Sequence, residues 1–147
     1  MENNQLSPEF VEAKKKKILL IEDDTFISQM YTAKFKQTPH ELLSVGDGEE
    51  GLALAKEENP EAILLDIVLP KVDGFKILEK LKADETTKNI PIILLSNLGQ
   101  EANIQKGMSM GALDYIVKAH YTPQEVVERV EKILGGVGGS VHAPLPS

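Results

Sequence analysis

The feature that most constrains the fold of this chain is a regular alternation of short apolar runs with longer segments whose apolar residues recur at helical spacing. Five runs rich in isoleucine, leucine and valine are predicted to be strands, over residues 17–22, 41–45, 62–66, 91–95 and 113–117. Five helices are predicted to follow them, over residues 24–37, 48–58, 72–83, 100–108 and 123–134. This alternation predicts an α/β domain built on a parallel sheet.

Five strand–helix units joined by right-handed crossovers predict a doubly wound sheet with helices on both faces. The central apolar runs carry no polar alternation, which indicates strands covered on both sides. Folds of this kind bind their ligands beyond the carboxyl ends of the strands. The chemistry of the chain is therefore expected among the polar residues at those ends.

Length and composition limit the classes of function. A chain of 147 residues fits one domain, predicted over residues 16–134 between a flexible leader (1–15) and a flexible glycine-rich tail (135–147).

The net charge of -7 disfavours nucleic-acid binding. The apolar runs are too short for a membrane span, so no membrane association is expected. The absence of cysteine favours a reducing compartment, the cytoplasm.

Acidic residues close the first and third predicted strands. Glu22, Asp23 and Asp24 end strand one, and Asp66 ends strand three. Each alone has an ordinary explanation as a helix cap or a turn residue. In a five-stranded doubly wound sheet, however, strands one and three are neighbours, so these carboxylates are expected to converge. Two like charges about 4 Å apart repel by roughly 4 kcal/mol at an effective dielectric of about 20, so the cluster needs compensation by protonation or by a cation. A set of oxygen ligands suits Mg²⁺.

Ser96 and Lys118 follow the same pattern at the ends of strands four and five. A lone serine there is usually a cap and a lone lysine a surface charge. Beside a metal-bound carboxylate, however, a hydroxyl and an ammonium group are suited to stabilise a phosphoryl group.

Five segments together resemble the receiver domain of two-component response regulators. They are ILLIEDD (18–24), VGDGEEGLAL (45–54), ILLDIVLPKVDG (63–74), IPIILLSN (90–97) and GALDYIVK (111–118). The resemblance covers about residues 16–134 and implies a flavodoxin-like three-layer sandwich with strand order 2-1-3-4-5. It also implies that the chain is a signalling switch and not an enzyme. The only chemistry that it implies for the switch is its own phosphorylation and dephosphorylation.

The resemblance implies three sets of site residues. The catalytic set is Asp66, which accepts the phosphoryl group, with Ser96 and Lys118. The Mg²⁺ set is Glu22, Asp23, Asp66 and the backbone carbonyl of Val68. The switch set is Ser96 and Tyr115, although a half-buried strand tyrosine explains Tyr115 equally well.

The resemblance also implies partners and a response. The phosphoryl group would come from a histidine kinase, a phosphotransfer protein or a small phosphodonor. Phosphorylation would draw the loops of Ser96 and Lys118 inward, and Tyr115 would turn into the space left behind. The output would be protein contact at the face of helix 4, strand 5 and helix 5, in a monomer or weak homodimer.

Two departures from the family pattern leave alternatives open. Ala119 stands where receivers usually have a proline joined by a cis bond. Asn97 stands where a small residue is usual, and its larger side chain is expected to narrow access to the phosphoryl group. A cis bond before a non-proline residue costs about 3 kcal/mol, so the loop either bears that strain or takes another path. Ala119 thus leaves open a degenerate receiver that only docks. A second rival function, a metal-dependent phosphohydrolase, stays open because such enzymes also use an aspartyl nucleophile, a lysine, a hydroxyl group and Mg²⁺.

Overall fold

The computed structural model describes residues 15–135, in which strands and helices alternate along the chain. The strands are β1 (Lys17–Ile21), β2 (Glu41–Val45), β3 (Ala62–Leu65), β4 (Ile92–Ser96) and β5 (Asp114–Val117). The helices are α1 (Thr25–Phe35), α2 (Gly48–Glu58), α3 (Gly74–Ala83), α4 (Glu101–Ser109) and α5 (Pro123–Leu134). A short 3₁₀ helix (Lys118–His120) joins β5 to α5. The predicted alternation is confirmed, with ends displaced by at most two residues.

The five strands form one parallel sheet in the order β2-β1-β3-β4-β5. This is the predicted order. β1 pairs with β2 on one side and with β3 on the other, and Ile21 is paired with both Val45 and Leu65. Glu22 and Asp66, the residues that follow β1 and β3, therefore emerge side by side at the carboxyl edge of the sheet.

The sheet separates two apolar cores, as expected for a three-layer sandwich. Side chains alternate across β1, so that Leu19 and Ile21 pack with α2, α3 and α4 while Ile18 and Leu20 pack with α1 and α5. The predicted apolar stripe of α5 is confirmed, because Val126, Val127 and Val130 are buried in the second core, with Ile133 and Leu134 partly buried against it.

Polar side chains fix where the helices begin. Asp24 accepts a hydrogen bond from the N–H of Ile27 at 3.1 Å, and Asp47 begins α2 in the same way. Thr122 and Glu125 form a reciprocal capping box at the start of α5. The predicted helix starts after Asp47 and Thr122 are confirmed, and the caps set the lengths of the loops at the carboxyl edge.

Two predictions concern the ends of the chain. Apart from Lys15 and Gly135, the segments 1–15 and 135–147 lie outside the described residues, so the boundaries of the domain remain predictions. Over residues 15–135, no helix combines the length and the apolar character that a membrane crossing requires.

Candidate functional site at the carboxyl edge of the sheet

Three carboxylates meet at the carboxyl edge. One oxygen each from Glu22, Asp23 and Asp66 lies within 4.8 Å of the others. Glu22 and Asp66 are buried, while Asp23 is exposed. Asp24 is directed instead to the start of α1, which it caps. The convergence predicted from the strand order is therefore present.

Lys118 joins this cluster from the end of β5. Its Nζ lies 2.5 Å from Glu22 Oε1 and 3.0 Å from Asp66 Oδ2. The side chain of Lys118 is only 10% exposed, which strengthens such charge-assisted hydrogen bonds. Lys118 is thus directed into the site despite Ala119, and its contact with Glu22 was not predicted from the sequence.

Burial and charge act against each other in this cluster. Burial raises the pKa of the Glu22 carboxyl, and the hydrogen bond from Lys118 opposes that effect without overcoming it. Burial alone would lower the pKa of Lys118, but its hydrogen bond to Glu22 and the charge of Asp66 outweigh burial and raise it. The ammonium form of Lys118 is therefore the form that the site favours.

The cluster has the composition of a site for a hard divalent cation. Its three acidic side chains offer only oxygen ligands, which Mg²⁺ prefers. Lys118 supplies a single positive charge against three carboxylates, so a divalent cation would balance what remains. The residues present therefore fit the predicted ion.

Asp66 has a second contact on its other oxygen. The backbone N–H of Val68 donates to Asp66 Oδ1 at 3.0 Å, while Lys118 binds Oδ2. The side chain of Val68 is exposed, so the part of Val68 that contacts Asp66 is its backbone. The orientation of the Asp66 carboxylate is thus fixed from two sides.

Ser96 and Tyr115 are linked through one loop. Ser96 is the last residue of β4 and is buried, and its Oγ accepts a hydrogen bond from the N–H of Leu98 at 3.1 Å. The hydroxyl of Tyr115 donates to the carbonyl of Leu98. The ring of Tyr115 is fully buried rather than half-buried. The ring therefore lies in the core, and a turn of Tyr115 upon phosphorylation remains a prediction.

The buried phenol gives a prediction about pH. Burial raises the pKa of Tyr115 above the ordinary tyrosine value of 10.0, because the phenolate is poorly solvated there. A raised pKa means that the contribution of the phenol to stability is complete below pH 10.0 and is lost as the pH rises through the folded-state pKa. Tyr115→Phe removes the hydrogen bond from the phenol to the carbonyl of Leu98. The substitution should therefore lower the free energy of unfolding by about 1 kcal/mol near neutral pH.

That difference between the wild type and Tyr115→Phe should shrink at alkaline pH. Urea unfolding of both proteins at a series of pH values measures it. A difference that stays constant as the pH rises past the folded-state pKa of Tyr115 would contradict the assignment.

The loop after Lys118 takes the second of the two paths left open by the sequence. Residues 15–135 contain no cis peptide bond, so the Lys118–Ala119 bond is trans. The chain instead forms the 3₁₀ helix, and the N–H of Tyr121 donates to the carbonyl of Lys118 at 3.3 Å. Asn97 is exposed, and its effect on access to the site remains a prediction.

Comparison with known proteins agrees with this geometry. The family model of the response regulator receiver domain matches residues 18–131. The chain is 37% identical over 118 residues to the DNA-binding dual master transcriptional regulator RpaA of Synechocystis sp., which covers 80% of this chain and 48% of RpaA. The chain spans about half the length of the curated relatives it matches.

Solved structures share the fold. The phosphorylated cyanobacterial phytochrome response regulator RcpA has 30% identity and a TM-score of 0.72, covering 91% of this chain and all of RcpA. The Mn²⁺-bound form of response regulator Rcp1 has 27% identity and a TM-score of 0.66, covering 90% of this chain and 99% of Rcp1. With its sheet order, its acidic cluster and the family match in agreement, the chain belongs to the receiver domain family of two-component response regulators.

Proposed function

We propose that this receiver domain is a phosphoacceptor switch in which Asp66 takes a phosphoryl group in a magnesium-dependent reaction. The donor would be a histidine kinase, a phosphotransfer protein or a small phosphodonor. The observation that supports this most is the buried Asp66 carboxylate, held by Lys118 and by the N–H of Val68 beside Glu22 and Asp23. The phosphorylated state of RcpA, a structural relative, is consistent with it.

The residues of the site suit an in-line phosphoryl transfer. An oxygen of Asp66 attacks phosphorus, the bond from phosphorus to the donor breaks, and an acyl phosphate forms on Asp66. A carboxylate is already ionised, so no general base is required. Lys118 offsets the negative charge of the phosphoryl oxygens, and the hydroxyl of Ser96 donates a hydrogen bond to one of them.

Mg²⁺ would be held by Glu22, Asp23, Asp66 and the backbone carbonyl of Val68. When bound there, it would supply positive charge that offsets the anionic charge of the phosphoryl group. The Mn²⁺-bound form of Rcp1 is consistent with such an ion in a related protein.

The loop at Leu98 offers a route from the site to a surface. Its N–H binds the oxygen of Ser96 and its carbonyl binds the hydroxyl of Tyr115. A phosphoryl group that draws the hydroxyl of Ser96 toward itself would therefore disturb both contacts. The proposed output is a shift in the face formed by α4, β5 and α5, read by a protein partner. The monomeric or weakly dimeric state and the cytoplasmic location remain predictions.

Binding of beryllofluoride, a phosphoryl mimic, tests the proposed function. We expect saturable binding by calorimetry that requires Mg²⁺ and is abolished by Asp66→Asn, because the amide cannot coordinate beryllium as a carboxylate does. Asp84→Asn is the matched control, since Asp84 caps a turn at the other end of α3. A wild-type protein that binds no beryllofluoride with Mg²⁺ present would instead be a docking module.

Two exposed apolar residues, one following Asp66 and one following Ser96, predict a slow loss of the phosphoryl group. Val68 is 57% exposed and Leu98 37% exposed, and neither has a polar group to orient an attacking water. We expect a long-lived aspartyl phosphate in a radiolabel chase, and a severalfold shorter lifetime in Val68→Asn. Lys71→Asn, which introduces the same side chain at an exposed position of that loop, serves as the control. Loss within seconds from the wild type would contradict the prediction.

A further inference from the structure

The connection from β5 to α5 holds the backbone of Lys118 without the proline that is usual in the family. Its 3₁₀ helix has no buried residue, and both Ala119 and His120 are exposed. The turn itself therefore gains little from packing. What closes it is the N–H of Tyr121, which donates to the carbonyl of Lys118 at 3.3 Å. The backbone of Tyr121 is thus bonded to the carbonyl of Lys118 on the side away from β5.

The side chain of Tyr121 is held by Arg129, a residue of α5. Arg129 Nη1 donates to the hydroxyl of Tyr121 at 3.0 Å, and the guanidinium carbon lies 5.5 Å from the centroid of the ring. The aromatic ring and its hydroxyl are therefore both in contact with one side chain.

Arg129 is in turn held by a buried carboxylate. Arg129 Nε lies 2.8 Å from Asp114 Oδ2, and Asp114, the first residue of β5, is fully buried. A buried carboxylate requires a cation, so Arg129 has little freedom to leave. The planar guanidinium group presents several donors in a fixed arrangement, which lets one side chain bind both Asp114 and Tyr121.

We propose that Arg129 and Tyr121 are positioning residues for Lys118, an inference that rests on the proposed function of the site. The start of β5 holds Arg129 through Asp114, Arg129 holds Tyr121, and Tyr121 holds the carbonyl of Lys118. The ammonium group of Lys118 must reach both Glu22 and Asp66 at hydrogen-bond distance. A turn that is released at Tyr121 would leave Lys118 free to drift from that position.

A purely structural role is the alternative, and the two roles differ in what they affect. If the contacts only hold α5 on the sheet, weakening them should lower stability and affect every ligand alike. If they position Lys118, weakening them should lower the affinity for an anionic phosphoryl mimic but not the affinity for Mg²⁺, because the ammonium group attracts the mimic and repels the ion.

Tyr121→Phe is the primary variant, since it keeps the ring and removes only the hydroxyl. We expect its affinity for beryllofluoride at saturating Mg²⁺ to fall about threefold to tenfold, which corresponds to the loss of one hydrogen bond. Its affinity for Mg²⁺ alone should be no weaker than that of the wild type, and its melting temperature should stay close to the wild-type value. Gln124→Ala, which removes an exposed hydrogen bond of α5 to Glu128, is the control and should change neither affinity.

Arg129→Lys is the second variant, because lysine keeps a cation beside Asp114 but lacks the second nitrogen that reaches Tyr121. The double variant Tyr121→Phe with Arg129→Lys should bind beryllofluoride no more weakly than either single variant, since both break the same link. In a Lys118→Met background, Tyr121→Phe should produce no further loss.

Three results would overturn the inference. One is an unchanged beryllofluoride affinity in Tyr121→Phe. Another is a fall in the affinity for Mg²⁺ as large as the fall in the affinity for beryllofluoride, together with a lower melting temperature. The third is additive effects of the two variants. If the wild-type protein binds no beryllofluoride, the proposed function itself is wrong. If the wild type binds it and Tyr121→Phe binds it equally well, only the inference about Tyr121 is wrong.

Discussion

Lys118→Met is expected to lower the free energy of unfolding in the absence of metal by about 3 kcal/mol and to slow phosphorylation by acetyl phosphate about 100-fold. The stability falls because the side chains of Glu22 and Asp66, 2% and 7% exposed, lose the cation between them. The rate falls because no ammonium group remains to offset the phosphoryl charge. Urea unfolding and a stopped assay with radiolabelled donor measure the two effects.

Conditions that neutralise the carboxylates should reduce the loss of stability in Lys118→Met. Saturating Mg²⁺ should restore part of it, because carboxylates that have lost the ammonium group bind the ion more tightly, and tighter binding to the folded state stabilises the variant more than the wild type. Acid should reduce it too, because Glu22, whose pKa burial raises, takes up a proton and no longer needs a cation. Lys17→Met is the control, since the Lys17–Glu58 pair is at least one-third exposed and such solvent-screened pairs contribute little to stability. Equal losses in both variants would contradict the buried pair.

Gly74→Ala is expected to lower the free energy of unfolding by about 3 kcal/mol, at the upper end for a steric insertion. A methyl group on Gly74 would lie 2.4 Å from the Cα of Ile67 and 2.5 Å from the carbonyl oxygen of Asp66. Both are backbone atoms and cannot rotate away. Where no such contact exists, alanine stabilises a helix relative to glycine. A lower free energy of unfolding in Gly74→Ala would therefore identify the clash.

The clash at Gly74 should also displace the loop of the phosphoacceptor. We therefore expect weaker binding of beryllofluoride in Gly74→Ala, measured by calorimetry beside urea unfolding. Gly46→Ala is the control, because a methyl group there meets its nearest atom, the Cα of Asp23, at an ordinary contact distance of 3.4 Å. A stable Gly74→Ala protein would show that α3 can begin farther from Asp66 than the structure indicates.

The sequence predicted the fold because its signals were periodic and independent of one another. Uninterrupted apolar runs such as residues 63–65 need helices on both faces, and the caps Asp47 and Thr122 mark the helix starts. The full strand order followed from the resemblance to the receiver family, since doubly wound sheets occur with more than one order. The ends of elements were less certain, because the last residue of a strand depends on a hydrogen bond to its neighbour rather than on its own side chain.

The convergence of Glu22, Asp23 and Asp66 was predictable for the same reason, since strand ends determine it. The contacts of individual side chains were not. Lys118 reaches Glu22 as well as Asp66, which depends on the course of a loop that carries no proline. Sequence patterns do not specify such a course.

The link from Arg129 to Tyr121 was also missed. An arginine among the charged residues of α5 is typical of a solvated helix face. The only available signal was Asp114, an acidic residue at the start of a strand with both faces covered, which requires a cation.

The pairing of Ile21 with Leu65 places a limit on how this chain can vary in length. Consecutive side chains of a strand point to opposite faces, so one residue inserted into or deleted from β1 or β3 would turn either Glu22 or Asp66 away from the other. Helices on the outside of the sheet can lengthen by a turn without moving these carboxylates. Insertions and deletions among descendants of this sequence should therefore accumulate in the helices and at the amino edge of the sheet, and should be absent from these two strands.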